Sequence, residues 1–163
     1  YYENKETIFL TLAVREYEAL LTQMKETVDP DKPLEEALRA AMSCVFDVLG
    51  KHFGILMDIS DFRRAGMPAL AELVKEHHDL VDGFQRFAEG MQDLITEVFA
   101  RARTRGEITT ALTDARLAAY FGAHVRGIVF EWKLAGKIGN IEGEIKSAIT
   151  FIMHGVKGTA QQA

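Results

Sequence analysis

The sequence predicts an all-α fold, a multi-helix bundle, and three observations support this prediction. Apolar residues recur in alternating steps of four and three along almost the whole chain, which places them on one face of successive helices. Of the 163 residues, 48% are hydrophobic and 26% are charged, the balance of a globular domain with one core. No segment shows convincing strand periodicity, and the connections between the apolar stripes are short. Sequential helices are therefore predicted to be mostly antiparallel neighbours.

The first two predicted helices each carry one apolar stripe. Asn4 can cap the first helix, and Asp29-Pro30-Asp31 ends it because proline cannot continue a helix. The second helix begins near Pro33, a residue that the first helical turn tolerates. Gly50 and Gly54 lie inside its apolar stripe. Each destabilises a helix by on the order of 1 kcal/mol relative to alanine. Either close packing offsets this cost, or the helix bends or ends there. The two stripes are Leu10, Val14, Tyr17, Leu21, Met24 and Val28, then Met42, Phe46, Leu49, Phe53 and Leu56.

The middle of the chain combines an irregular stretch with the longest predicted helix. The residues from Asp58 to Pro68 are irregular, and a short helix is predicted from Pro68 to about Glu76. The long helix that follows ends in arginines and Gly106, because basic residues favour the last turn and glycine favours the position just beyond it. Its stripe consists of Leu80, Phe84, Phe87, Met91, Leu94 and Val98.

The last two predicted helices indicate a dimer. Thr113 or Asp114 caps the helix that runs to about Ala135, and Gly139-Asn140 precedes the last helix. The helix that runs to about Ala135 carries a face of small residues spaced by four. The last helix is apolar over a wide arc, so this arc must be covered on more than one side. A two-fold dimer would cover both faces, whereas the alternative is a buried central helix in a monomer. The predicted interface comprises Ala119, Ala123, Gly127, Phe130, Ile145, Ile149, Ile152 and Met153.

Charge and motif content argue against several classes of function. The net charge of −5 makes the chain a poor candidate for wrapping nucleic acid by itself, and no apolar run reaches the roughly 20 residues of a membrane helix. The single Cys44 excludes a four-cysteine zinc site. None of the five histidines follows a glutamate by three residues, and no nucleophile turn or phosphate-binding loop is present. We therefore predict no catalytic residue, no metal and no cofactor.

Aromatic and methionine side chains predict a ligand pocket in the middle of the chain. Most of them suit an ordinary core, but methionine and phenylalanine beside irregular helices also make adaptable ligand walls. Tyr120 and His124 lie one turn apart among apolar neighbours, either as satisfied core groups or as two polar groups aimed into an apolar pocket. The predicted ligand-binding residues are Phe53, Met57, Phe62, Met67, Phe84, Phe87, Met91, Tyr120 and His124.

The chain starts with Tyr1-Tyr2-Glu3-Asn4-Lys5-Glu6-Thr7-Ile8-Phe9, in which an aromatic pair precedes Asn-Lys-Glu and an apolar pair. This start resembles the junction between the recognition helix and the fourth helix in the TetR family of bacterial transcriptional regulators, where an aromatic-rich helix end is followed by an Asn-Lys-Glu cap. The family more often has phenylalanine where Tyr2 stands. Arg105-Gly106-Glu107-Ile108 and Gly127 followed by Glu131-Trp132 are also typical of many members. The order of helices resembles the family's regulatory domain over essentially the whole chain.

The resemblance implies a ligand-responsive repressor and not an enzyme. Residues 1–4 would be a remnant of the junction with a helix-turn-helix head that this sequence lacks, and residues 5–163 the ligand-binding and dimerisation domain. We expect a cytoplasmic homodimer that binds a small apolar or amphipathic effector between its second and fifth helices and operator DNA through the missing head. Two alternatives remain open: a stand-alone helical-bundle enzyme or small-molecule or cofactor-binding protein, and a dimerisation module without a pocket.

Overall fold

The computed structural model describes residues 5–48, 78–135 and 140–157, which are helical except at the connections. Helix α1 spans Lys5–Thr27, α2 covers residues 34–48, α3 spans His78–Thr104, α4 spans Asp114–Ala135 and α5 spans Ile141–Lys157. These three stretches contain no strand, and the prediction of an all-α multi-helix fold is confirmed. The predicted Asn4 cap, the irregular stretch from residue 58 and the short helix after Pro68 lie outside the described residues.

One hydrophobic core holds these helices together. Helix α3 packs against α1 and against α4, and α4 packs in turn against α5. A single cluster of buried side chains draws on all five helices. Helix α2 supplies four of its largest fully buried members, which are Leu34, Leu38, Met42 and Phe46. The apolar stripes read from the sequence therefore identify the faces that this core buries.

The ends of the helices follow the local chemistry of the sequence. Thr113 caps α4, since its Oγ1 accepts a hydrogen bond from the backbone N–H of Arg116 at 3.3 Å. Asn140 caps α5 in the same way, with its Oδ1 3.1 Å from the backbone nitrogen of Gly143. Gly106 has a φ of +78°, the left-handed conformation that glycine adopts readily just after a helix. The predicted ends of α3 and starts of α4 and α5 are thus confirmed.

Helices α4 and α5 run antiparallel as a pair. The backbone N–H of Thr109 donates to the carbonyl oxygen of Val156 at 3.0 Å, so the end of α5 returns to the connection that precedes α4. Midway along the pair, the rings of His124 and Phe151 stack with their centroids 5.4 Å apart. This arrangement places the outer faces of the two helices side by side.

Candidate functional site

A cavity of about 380 Å³ lies between α4 and α5, over the end of α3. Buried apolar side chains form its floor, with Phe99, Phe121 and Val156 each at most 3% exposed. The stacked His124 and Phe151 rings, inclined by 14°, form one wall. The volume lies at the lower end of the range for small-molecule sites. The full lining is Phe99, Leu112, Leu117, Tyr120, Phe121, Ala123, His124, Phe151, Ile152, Gly155 and Val156.

Tyr120, a residue of the lining, contacts Arg116, which lies outside the lining. Tyr120 is 50% exposed, and its hydroxyl accepts a hydrogen bond from Nε of Arg116 at 3.2 Å. The guanidinium carbon of Arg116 lies 5.2 Å from the centre of the Tyr120 ring, within range of a cation–π contact. No carboxylate among the described residues forms an ion pair with Arg116. The nearby Asp114 instead accepts from Nε of Arg103 at 2.8 Å.

The structure brings only part of the predicted ligand-binding set together. Tyr120 and His124 line the same cavity, whereas Phe87 and Met91 lie on α3 as half-buried side chains packed against the core. The ring of Phe87 contacts that of Tyr17 with the centroids 4.6 Å apart, at the junction of α3 with α1. The residues outside the described part of the chain are Phe53, Met57, Phe62 and Met67, and for Phe84 the side chain is also outside it. The complete pocket therefore stays a prediction.

An apolar outer face runs along α4 and α5. Ala119, Ala123 and Gly127 are all exposed, and a Cβ atom added at Gly127 would meet no other atom within 4 Å. Two large aromatic side chains border this strip, since Phe130 is 47% exposed and Phe151 is 69% exposed. Exposed aromatic groups beside small residues are typical of a surface that another helix can approach closely.

The remaining predicted interface residues lie deeper than the sequence indicates. Ile145 and Ile149 are only 5% and 1% exposed because the chain's own core covers them, which leaves a partner almost no area of either. Ile152 and Met153 are half-buried against the same core. Sequence reasoning missed Phe151, which faces outward and away from the isoleucine stripe. An aromatic residue at a helical position outside the buried stripe was the signal that could have identified it.

The Arg105-Gly106-Glu107 motif connects the end of α3 to the start of α2. The Arg105 guanidinium donates to the carbonyl oxygens of Pro30 at 2.9 Å and Lys32 at 2.6 Å. Glu107 pairs with Arg105 at 2.6 Å through one oxygen, and its other oxygen accepts from the backbone N–H of Leu34 at 2.8 Å. The motif thus caps α2 with a side chain that is distant in sequence.

Helix α1 lies very close to α3. A Cβ atom at Gly83 would come within 2.5 Å of Cγ1 of Val14, and one at Gly90 within 2.6 Å of Cδ2 of Leu21. Between these points Arg86 of α3 pairs with Glu18 of α1 at 3.3 Å. Two glycines therefore set the separation of the helices, because larger side chains would push α1 outward.

The described ranges contain neither a metal-ligand cluster nor a membrane-spanning helix. No group of three or more His, Cys, Asp or Glu side chains there could hold a metal ion. None of the helices there is both long and apolar enough to cross a bilayer.

Comparison with known proteins identifies the fold but no family. No model of a known protein family matches the sequence, and no curated protein matches it. The chain is similar to the solved structure of a protein with unknown function from Rhodococcus sp. RHA1, with a TM-score of 0.68 at 14% sequence identity. The match covers 97% of this chain and 76% of that chain. At this identity the similarity establishes a shared helical fold.

Proposed function

We propose that this chain is the effector-binding and dimerisation domain of a ligand-responsive, TetR-like transcriptional repressor of the bacterial cytoplasm. The observation that carries the proposal is the apolar outer face of α4 and α5, where Ala119, Ala123 and Gly127 lie exposed beside Phe130 and Phe151. The motifs at the start of the chain and around Gly106, together with the all-helical architecture, add support. The proposal assigns the chain no catalytic role.

A two-fold dimer accounts for this face. In such a dimer α4 and α5 would pack against their own copies as a four-helix bundle, and each residue pair would occur twice. The small side chains allow two helix backbones to approach closely. The aromatic side chains would supply most of the buried apolar area, because large rings dominate interface energetics.

The contact between α1 and α3 offers a route from ligand to DNA. In the proposed repressor α1 follows the DNA-reading head, so its position fixes the separation of the two heads. Operator half-sites lie about 34–36 Å apart, and a shift of α1 would mismatch this spacing. A ligand can drive that shift only through different affinities for the two arrangements. The glycine contacts at Gly83 and Gly90 make the position of α1 sensitive to small movements of α3.

Sedimentation equilibrium of three variants tests the dimer. The Gly127→Leu substitution places a side chain where the protomer has open space, so the fold should tolerate it while close helix pairing should not. The Phe130→Ser substitution removes an exposed aromatic group from the same face. The matched control is Ile8→Ser on α1, since Ile8 is similarly exposed at 40%. We expect dimers for the wild type and the control and monomers for the other two. A monomeric wild type, or equal loss in the control, contradicts the dimer.

The gene upstream of the Tyr1 codon tests the DNA-binding part of the proposal. We expect it to encode a helix-turn-helix segment of net positive charge, since such a head must neutralise phosphates. A start codon directly before Tyr1 would reduce the resemblance to one of fold. The alternative hypothesis of a helical enzyme or small-molecule carrier would then be open again.

A further inference from the structure

We propose that the dimer formed through α4 and α5 is sensitive to pH, because protonation of His124 separates the two protomers. The inference rests on the proposed function, since it adds a mode of regulation to the dimer face described there. It depends on the position of His124 beside Phe151, on the charges around the imidazole, and on the repetition of every group in a two-fold dimer.

His124 lies within the surface that a second copy would cover. Its ring stacks on that of Phe151 with the centroids 5.4 Å apart, and Phe151 is 69% exposed. Its neighbour Ala123 is exposed, and so is Gly127 one turn further along α4. A partner helix that covers Phe151 and these small residues therefore also covers the imidazole of His124.

The imidazole of His124 keeps access to water in the single chain. His124 is half-buried, and no hydrogen bond or ion pair within the described part of the chain involves it. No buried side-chain nitrogen or oxygen there lacks a partner, so the ring nitrogens of His124 must be reachable by water. A protonated ring is thus solvated in the monomer, and a partner would remove that water. Because burying an unpaired charge is costly, the charged form favours the monomer.

The side chains that surround His124 provide no negative charge. The described residues that line the cavity include one other titratable group, the phenol of Tyr120, and α3 contributes the apolar Phe99. On α5 the titratable group next to Phe151 on the outer face is His154, which is exposed one turn further along. At the start of α4, Arg116 reaches Tyr120 and adds a positive charge to this side of the helix.

The carboxylates on the same two helix faces lie two turns away. Glu131 follows His124 by seven residues on α4, and Glu144 precedes Phe151 by seven residues on α5. Two turns correspond to roughly 10 Å along a helix, which is about the screening length at 0.1 M salt. Neither carboxylate can therefore form an ion pair with a protonated His124 of the same chain.

The two-fold symmetry doubles the effect of pH. A histidine in water is about three-quarters protonated at pH 6 and almost neutral at pH 8, and each dimer covers two copies of His124. If only the neutral ring enters the interface, the two neutral fractions multiply and the dimer weakens about tenfold at pH 6. Net charge acts in the opposite direction, because the value of −5 becomes smaller as pH falls and the protomers repel each other less.

Sedimentation equilibrium at pH 8 and pH 6 tests the inference through the ratio of the two dimer dissociation constants. The wild-type constant should be about tenfold higher at pH 6. His124→Phe keeps a flat ring against Phe151 and His124→Gln keeps a polar group, and both should abolish this increase. The matched control is His154→Gln, because His154 is exposed on α5 outside the cavity lining and its loss should leave the increase intact. Far-UV circular dichroism at both pH values should show unchanged helix content.

Three results would overturn the inference: equal or tighter dimerisation of the wild type at pH 6, an unchanged pH response in both His124 variants, or loss of the response in His154→Gln. Failure of the proposed function gives a different result. A wild type that is monomeric at both pH values contradicts the dimer itself and the inference with it. A dimer with the same dissociation constant at both pH values contradicts the pH response alone.

Discussion

Replacing Glu107 by alanine should destabilise the fold far more than its position in a connection suggests. One carboxylate oxygen accepts a hydrogen bond at 2.8 Å from the backbone N–H of Leu34, which is the first helical residue of α2. The other oxygen pairs with Arg105, which in turn binds two carbonyl oxygens of the preceding connection. Glu107→Ala therefore removes a helix cap and an anchor for Arg105 together.

The magnitude follows from burial. Leu34 is fully buried, so its N–H would lose its only capping group without ready access to water, which costs about 1–3 kcal/mol. The ion pair with Arg105 is partly exposed and contributes about 0.5 kcal/mol. We expect a loss of about 1.5–3.5 kcal/mol in the free energy of unfolding. Since a domain of this size loses roughly 2–4 °C in Tm per kcal/mol, Tm should fall by about 3–14 °C.

Urea unfolding followed by far-UV circular dichroism measures this loss. The control is Glu97→Ala, which removes an exposed ion pair with Arg101 on the surface of α3 and should cost about 0.5 kcal/mol or less. Glu107→Gln keeps one acceptor for the N–H of Leu34, so its loss in the free energy of unfolding should lie between those of Glu107→Ala and Glu97→Ala. If Glu107→Ala and Glu97→Ala lie within about 0.5 kcal/mol of each other, the capping argument is wrong.

Three further predictions concern packing, backbone conformation and thiol reactivity. Gly83→Ala should destabilise the protein by about 1–2 kcal/mol in a thermal melt through overpacking against Val14. Adding Val14→Ala should relieve the cost of Gly83→Ala, and an additive double mutant would contradict the close contact. Gly106→Ala should cost about 1 kcal/mol in urea unfolding because the φ of +78° strains an L-residue, and an unchanged midpoint would argue against this conformation. Burial raises the pKa of the Cys44 thiol, although its hydrogen bond with Thr27 acts in the opposite direction. Ellman's reagent at pH 8 should therefore label the native protein far more slowly than the urea-unfolded chain. Equal labelling rates would refute the burial of this thiol.

Most of the described fold could be predicted because it depends on local chemistry. Steps of four and three identified the buried faces, as at Met24, Met42 and Val98. The ends at Gly106 and Asn140 followed from conformational preference and side-chain capping within one turn. These features require only the residues that are adjacent in sequence.

The candidate site could be predicted only in part. Tyr120 and His124 share a helix face, so their common cavity followed from spacing. Phe87 appeared equivalent by the same rule, yet it packs on Tyr17 of α1. Periodicity shows that a side chain faces inward, but not which helix it meets.

The sequence by itself determined that this chain is helical, where its helices end and which stripes they bury, because hydrophobic spacing and capping act within a few residues. Only the tertiary structure decided how the helices share their surfaces. It covered Ile145 and Ile149 with the chain's own core, left Phe130 and Phe151 exposed, and placed Glu107 on the start of α2. These outcomes depend on packing between distant segments, such as the contact of Glu107 with Leu34 across 73 residues of sequence, and no local pattern encodes such contacts.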